Sequence, residues 1–201
     1  MEAIDRILSD FRAAVETAGR SGADSVYLNN AYFLIRSHEF SCPADCDLDG
    51  ASADLLWFLE CEKERRVVPH PAPDASFWRK TWGDDALPYG ASWRLQELVD
   101  SIKDEKSWRR AVLFNYHHPT QPPCILCYQF MPRDLTVLDL TVTMRSSDVV
   151  NVLPQDVMMA WMLLRHVCNL TSKEIGDIHF NIANAHIFYQ DLELPEFIRE
   201  Y

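Results

Sequence analysis

A chain of 201 residues that is 48% hydrophobic, with six Trp, ten Phe and seven Tyr, has the apolar mass for one packed domain over residues 1–201 and is not disordered. Its formal net charge of −11 argues against a general nucleic-acid binder, whose affinity comes from neutralising phosphates, but leaves room for a local basic pocket that takes one mononucleotide. The start of the chain lacks an apolar signal core and no run approaches the roughly 20 apolar residues that cross a bilayer, so the expectation is a cytoplasmic protein with no membrane partner and mostly reduced cysteines.

Ile4, Ile7, Leu8, Phe11 and Val15 recur at helical spacing and predict an amphipathic helix over residues 2–18. Residues 19–24 break it with Gly19 and Gly22. Val26 to Phe40 reads as a strand, and residues 41–50 as a polar loop. Ala51 to Lys63 predicts a second helix. Residues 67–90, with Pro69, Pro71, Pro73 and Pro88, read as a long irregular stretch holding Trp78 and Trp82, whose length suggests a functional loop. Trp93 to Ile102 predicts a third helix. Arg110 to Tyr116, Ile125 to Met131 and Leu135 to Met144 read as strands. Val157 to Cys168 predicts a strongly apolar helix. Gly176 to Ile182 and His186 to Tyr189 read as two short closing strands.

The residues that could carry chemistry concentrate between Arg109 and Asp156. Cys42, Cys46, Cys124 and Cys127 could in principle supply four zinc ligands. Against this, Cys124 and Cys127 sit in a strand-like run, where alternation sends them to opposite faces, so no metal site is expected. Cys124 differs from the other thiols in its company. Pro122 and Pro123 fix the backbone before it. Arg109, Arg110 and Arg145 are cationic neighbours of the kind that lower a thiol pKa. The residues alone leave open a nucleophile and a buried core thiol. Arg145-Ser146-Ser147-Asp148 suits an anion, or a turn held by its own Arg–Asp pair. Asp156 reads first as a helix-start charge, His186 as a structural histidine, and Trp78 as a packing residue.

Taken in order, these pieces resemble the thymidylate synthase and deoxycytidylate hydroxymethylase family. The resemblance runs through Gly19-Arg20-Ser21-Gly22, Asp54-Leu55-Leu56-Trp57-Phe58-Leu59, Tyr89-Gly90-Ala91-Ser92-Trp93-Arg94, Ser107-Trp108-Arg109-Arg110, Pro123-Cys124 with Gln129-Phe130, Arg145-Ser146-Ser147-Asp148 with Leu153-Pro154, and Gly176-Asp177 with His186-Ile187-Phe188. It implies an α+β fold, with a mixed sheet flanked by helices and a homodimer formed through the sheet. It implies a pyrimidine mononucleotide substrate and 5,10-methylenetetrahydrofolate as cofactor. Cys124 would add to C6 of the ring and activate C5. Arg20, Arg145, Ser146 and the other subunit's paired arginines, at positions 109 and 110, would grip the 5′-phosphate. Asp54 would stand where a glutamate organises water for proton transfer. Asp148 would serve the reaction at the ring edge, and together with Trp78 would border the folate. Gln129 would contact substrate and His186 the sugar.

The departures from the family pattern carry information. Asp156 stands where thymidylate synthases have Asn, and family hydroxymethylases for cytidylate have Asp there. Cytosine offers an acceptor at N3 and a donor at N4, the reverse of uracil, so the resemblance implies hydroxymethylation of CMP or dCMP. A uridylate methylase, a folate-independent enzyme and a non-catalytic nucleotide binder are the alternatives. Ile125 replaces a usual His, Asn184 a usual Asp, Asp54 a Glu, and Phe188 a Tyr that contacts the sugar. The chain ends at Tyr201, where the family continues, which implies a looser hold on folate.

Overall fold

The computed structural model describes residues 3–64, 72–82, 93–104, 107–115 and 123–192. The expectations for residues 65–71 and 83–92, for Tyr116, for Gln121 and Pro122, and for the segment beyond Leu192 lie outside the described residues. The elements are α1 (Ala3–Ala18), β1 (Arg20–Ser21), β2 (Ser25–Ile35), α2 (Leu48–Glu64), α3 (Phe77–Trp82), α4 (Leu95–Lys103), β3 (Val112–Phe114), β4 (Ile125–Pro132), β5 (Val137–Met144), β6 (Ser147–Asp148), α5 (Leu153–Thr171) and β7 (Glu174–Phe188). The strands form one sheet in the order β1-β2-β7-β5-β4-β3, with β6 beside β7. β7 runs parallel to β5 and β6, and the other pairs are antiparallel. The fold is therefore α+β with a mixed sheet.

Strict alternation decides which face is covered. Along β5, Leu138, Leu140, Val142 and Met144 are buried, while Asp139, Thr141 and Thr143 are half-exposed. Phe33 on the covered face lies between Phe11 of α1 and Phe180 of β7, with ring centres 4.8 and 4.7 Å away. α5 packs on β5 and β7 on that same side and is itself covered by α2 and α4. Its run from Leu153 to Ala160 is accordingly buried throughout. Among the described residues no element covers the opposite face of the sheet, where Tyr32, Phe114 and Met131 are exposed. Among the described residues no helix is long and apolar enough to cross a membrane.

Four expectations are corrected. The strand expected to reach Phe40 ends at Ile35, because Ser37 N donates to Asp177 Oδ1 at 3.0 Å and the chain turns there into a 3-10 helix, Ser37–Glu39. The stretch read as irregular contains α3, which is short but capped. α5 begins at Leu153, four residues earlier than expected, with Pro154 in the first turn, where its missing N–H costs nothing. The two closing strands are one strand of 15 residues. Ala183-Asn184-Ala185 has weak strand propensity, but pairing with β2 on one side and β6 on the other overrides it.

Gly176-Asp177 has a structural role. A Cβ on Gly176 would lie 2.1 Å from Asp139 Oδ1 and 2.7 Å from Leu138 O, so only glycine lets β7 pass β5 there. Asp177 then receives Arg36 at 3.0 Å and Arg133 at 2.8 Å, pinning the strand at the sheet rim.

Candidate active site

The site begins where β4 and β5 meet. Asn115 is buried and holds this point: its Nδ2 donates to Ile125 O at 2.8 Å, its N to Leu126 O at 3.0 Å, and its Oδ1 accepts from Trp93 Nε1 at 2.8 Å. Arg145 N closes the other side onto Cys124 O at 2.7 Å. The Cys124 thiol is thereby fixed beside Arg145 Nη2 and Ser146 Oγ, each 3.7 Å from its sulfur. Sequence reasoning passed over Asn115; the signal was an amide inside an otherwise apolar strand, which must find buried partners.

The expected depression of the Cys124 pKa is not observed. Burial, the largest influence, and then the Asp156 carboxylate raise it; Ser146 and Arg145 pull it down and do not prevail. A desolvated thiolate loses more hydration than one guanidinium returns. Cys127 pairs with Phe114 and Thr143 on the sheet. Among the described residues no three His, Cys, Asp or Glu side chains gather as a metal site. Cys46 donates to Gln155 Oε1 at 3.3 Å, and burial, with Cys42 alongside, pushes its thiol up to about 12.

Asp156 sits in the first turn of α5, fully buried, within electrostatic reach of Cys124 and Tyr128. It is not a helix cap: Val152 holds that position. Neither carboxyl oxygen has a well-formed hydrogen bond among the described residues. Burial is the largest influence on it and raises its pKa well above the ordinary carboxylate range; Asp148 adds to this and Ser147 opposes it. Burial of this depth favours the protonated form of the Asp156 carboxyl over the charged one.

Register aligns another set. Arg20 lies opposite Tyr27, Tyr27 opposite His186, and His186 opposite Asp148, one row across four strands. His186 Nδ1 is buried without a partner among the described residues, and the ring stands edge-on to Phe188 at 5.1 Å. Asp148 Oδ1 accepts from Val150 N and Asn151 N at 3.0 and 3.1 Å, and Oδ2 from Asn151 Nδ2 at 2.9 Å. Most of the Asp148 carboxylate thus folds its own turn, and one acceptor position on Oδ2 is left over.

Asp54 is buried beneath α3. It accepts from Ser76 Oγ and from Phe77 N at 3.1 Å, while Ser76 Oγ accepts from Arg79 N at 3.0 Å. Trp78, on α3, is buried edge-to-face against Phe77. Burial, stronger than these hydrogen bonds, raises Asp54 to about 6, a value suited to moving protons near neutrality. Because the folded state holds this proton more tightly than the unfolded chain, Asp54 favours folding below the ordinary aspartate value of 3.8, and that contribution is lost as pH rises through about 6. Unfolding by urea at pH 4.5 and pH 7 should show a loss of about 2 kcal/mol that Asp54→Asn removes. Equal pH slopes for the two proteins would contradict this.

Three expected substrate-binding residues, Arg109, Arg110 and Gln129, lie apart from the Cys124 thiol of their own chain. Arg109 and Arg110 lie exposed on a 3-10 turn before β3. That turn meets the far end of β4, where Phe130 N donates to Ala111 O at 2.8 Å. Six residues of strand separate that point from Cys124, about 20 Å. Gln129 alternates with buried Tyr128 and Phe130 and so lies on the open face of the sheet, away from Asp156.

A part-buried thiol with a guanidinium beside it and a buried acid within electrostatic reach suits an enzyme that adds sulfur to a polar, anionic ring compound. The thymidylate synthase family model matches residues 45–197. The chain is 26% identical over 220 residues to the thymidylate synthase of Enterobacteria phage T4, covering 94% of this chain and 77% of that one. The protein belongs to the thymidylate synthase family, and its class of activity is one-carbon transfer to C5 of a pyrimidine nucleotide.

Proposed function

We propose that the protein is a cytidylate 5-hydroxymethyltransferase working through a bond between Cys124 Sγ and C6 of the ring. The observation that carries this reading is Asp156, a fully buried acid within electrostatic reach of the thiol, with neither oxygen hydrogen-bonded among the described residues. Its O–H can donate to cytosine N3 while its carbonyl oxygen accepts from N4. Cys124, once deprotonated, adds to C6, and the displaced electron pair raises the nucleophilicity of C5. Arg145 and Ser146 hold the 5′-phosphate together with Arg20, and His186 meets the sugar. Asp54 exchanges protons with water near the ring.

The residues present fit a reduced folate in one respect: Asp148 Oδ2 keeps an acceptor position for a ring N–H. When bound, methylenetetrahydrofolate supplies a one-carbon unit at the oxidation level of formaldehyde. Water then completes the group as hydroxymethyl, where a hydride would give methyl. The reading includes a homodimer on the open sheet face. It is supported by the exposed Tyr32, Phe114 and Met131 and by the distance of Arg109 and Arg110 from Cys124 in their own chain; in the dimer they would serve the other copy's phosphate.

Full-length protein mixed with methylenetetrahydrofolate and C5-tritiated CMP, dCMP or dUMP should release tritium from a cytidylate and yield a product bearing CH2OH by mass. Release from dUMP alone, or from none, overturns the proposal.

A further inference from the structure

The Asp148 carboxylate is held at both oxygens, and one side chain completes the hold. Oδ1 accepts the two backbone N–H groups of Val150 and Asn151 at 3.0 and 3.1 Å. Two contacts on one oxygen still let the other swing. Asn151 Nδ2 stops it by donating to Oδ2 at 2.9 Å. The same nitrogen lies 2.9 Å from Asp191 Oδ2. Ionised carboxylates only accept, so each of these contacts takes one of the two amide hydrogens. Asn151 is therefore a bridge with one hydrogen to each acid.

The far anchor of the bridge is itself tied down. Asp191 ends the 3-10 turn Tyr189–Asp191 that follows β7. Its carbonyl oxygen accepts from Arg12 Nη2 of α1 at 3.1 Å. Tyr189 N donates to Asp24 O at 3.0 Å, and Tyr189 Oη to Gly22 O at 3.1 Å. The turn is thus fastened to α1 and to the loop after Arg20. We propose that Asn151 is a positioning residue for the cofactor: clamped by Asp191, it holds Asp148 so that the remaining acceptor position of Oδ2 stays aimed at a ring N–H of the folate. The inference rests on the reading of a reduced folate as cofactor. The residue type follows from the geometry. A serine at 151 has one donor hydrogen and an aspartate has none when ionised, whereas the asparagine nitrogen carries two.

The test uses full-length protein carrying Asn151→Ala, Asn151→Asp, Asp191→Ala or Asn151→Ala with Asp191→Ala. Calorimetry measures the affinity for CMP, and for tetrahydrofolate at saturating CMP. Asn151→Ala should lower tetrahydrofolate affinity roughly five- to tenfold, the worth of one hydrogen bond to a charged group, and leave CMP affinity within about twofold. Asp191→Ala should lose in the same sense, and the double variant no more than Asn151→Ala alone, because Asp191 acts through Asn151. Asn151→Asp keeps the shape without the donors, should lose at least as much at pH 7, and carries the test alone if the alanine protein does not fold. Unchanged tetrahydrofolate affinity overturns the proposal, as do equal losses for both ligands or losses that simply add in the double variant. A second readout needs no cofactor: in 15N-labelled protein both side-chain amide hydrogens of Asn151 should exchange with water roughly tenfold more slowly than in free asparagine. If the parent takes up no tetrahydrofolate, the cofactor reading fails and this exchange alone decides the bridge; exchange at the free rate ends both.

Discussion

Cys124→Ser should abolish tritium release from C5 of the substrate, by at least about a thousandfold, while nucleotide affinity stays within about threefold. The two readouts separate because different atoms are involved. The backbone at Cys124 is held by Arg145 N, and the strand after it by Asn115 through Ile125 O and Leu126 O, none of which uses the sulfur. The thiol itself is raised by burial, so in the parent only a minor fraction is thiolate at neutral pH. The rate of tritium release should therefore climb with pH through neutrality until the thiol is ionised. A serine hydroxyl in the same place is a far weaker acid and should give a flat, near-zero profile. Residual release from Cys124→Ser at more than a hundredth of the parent rate would remove Cys124 from the chemistry.

Asp156→Asn should move the base preference from cytosine toward uracil by roughly a hundredfold or more. Each buried polar group left facing a like group costs about 1–3 kcal/mol, and the exchange of donor and acceptor affects two groups at once. Because Asp156 is fully buried, water cannot restore the lost pairing. Competition between CMP and UMP for parent and variant measures the change directly. The variant also removes a titrating acid from the neighbourhood of Cys124, so its pH–rate curve should keep only the step that belongs to the thiol. An unchanged preference would leave Asp156 as a buried acid with no part in choosing the base.

What the sequence revealed and what it hid follow from the range of the interactions. The apolar spacing from Ile4 to Val15 is local, and α1 spans Ala3–Ala18. The alternation in Leu138 to Met144 is local too, and it sets the covered face of β5. The continuity of β7 depends on partners in β2 and β6 that are distant along the chain. α3 depends on Asp54, more than twenty residues earlier, to receive its first N–H groups. The sign of the Cys124 shift could not be read from its cationic neighbours, because depth of burial is a property of the folded core and outweighed them. Asp156 stood out in sequence by its position in the family pattern, but its complete burial belongs to the packing of α5 against the sheet.

The placing of Arg109 and Arg110 at the far end of β4 has a genetic consequence. In the proposed dimer, a chain that loses both arginines keeps its own thiol and base reader intact and damages the other chain's site instead. Two alleles, one without Cys124 and one without the arginine pair, would each be silent alone. Together they would rebuild one working centre in every mixed pair, from the thiol of one product and the guanidinium groups of the other.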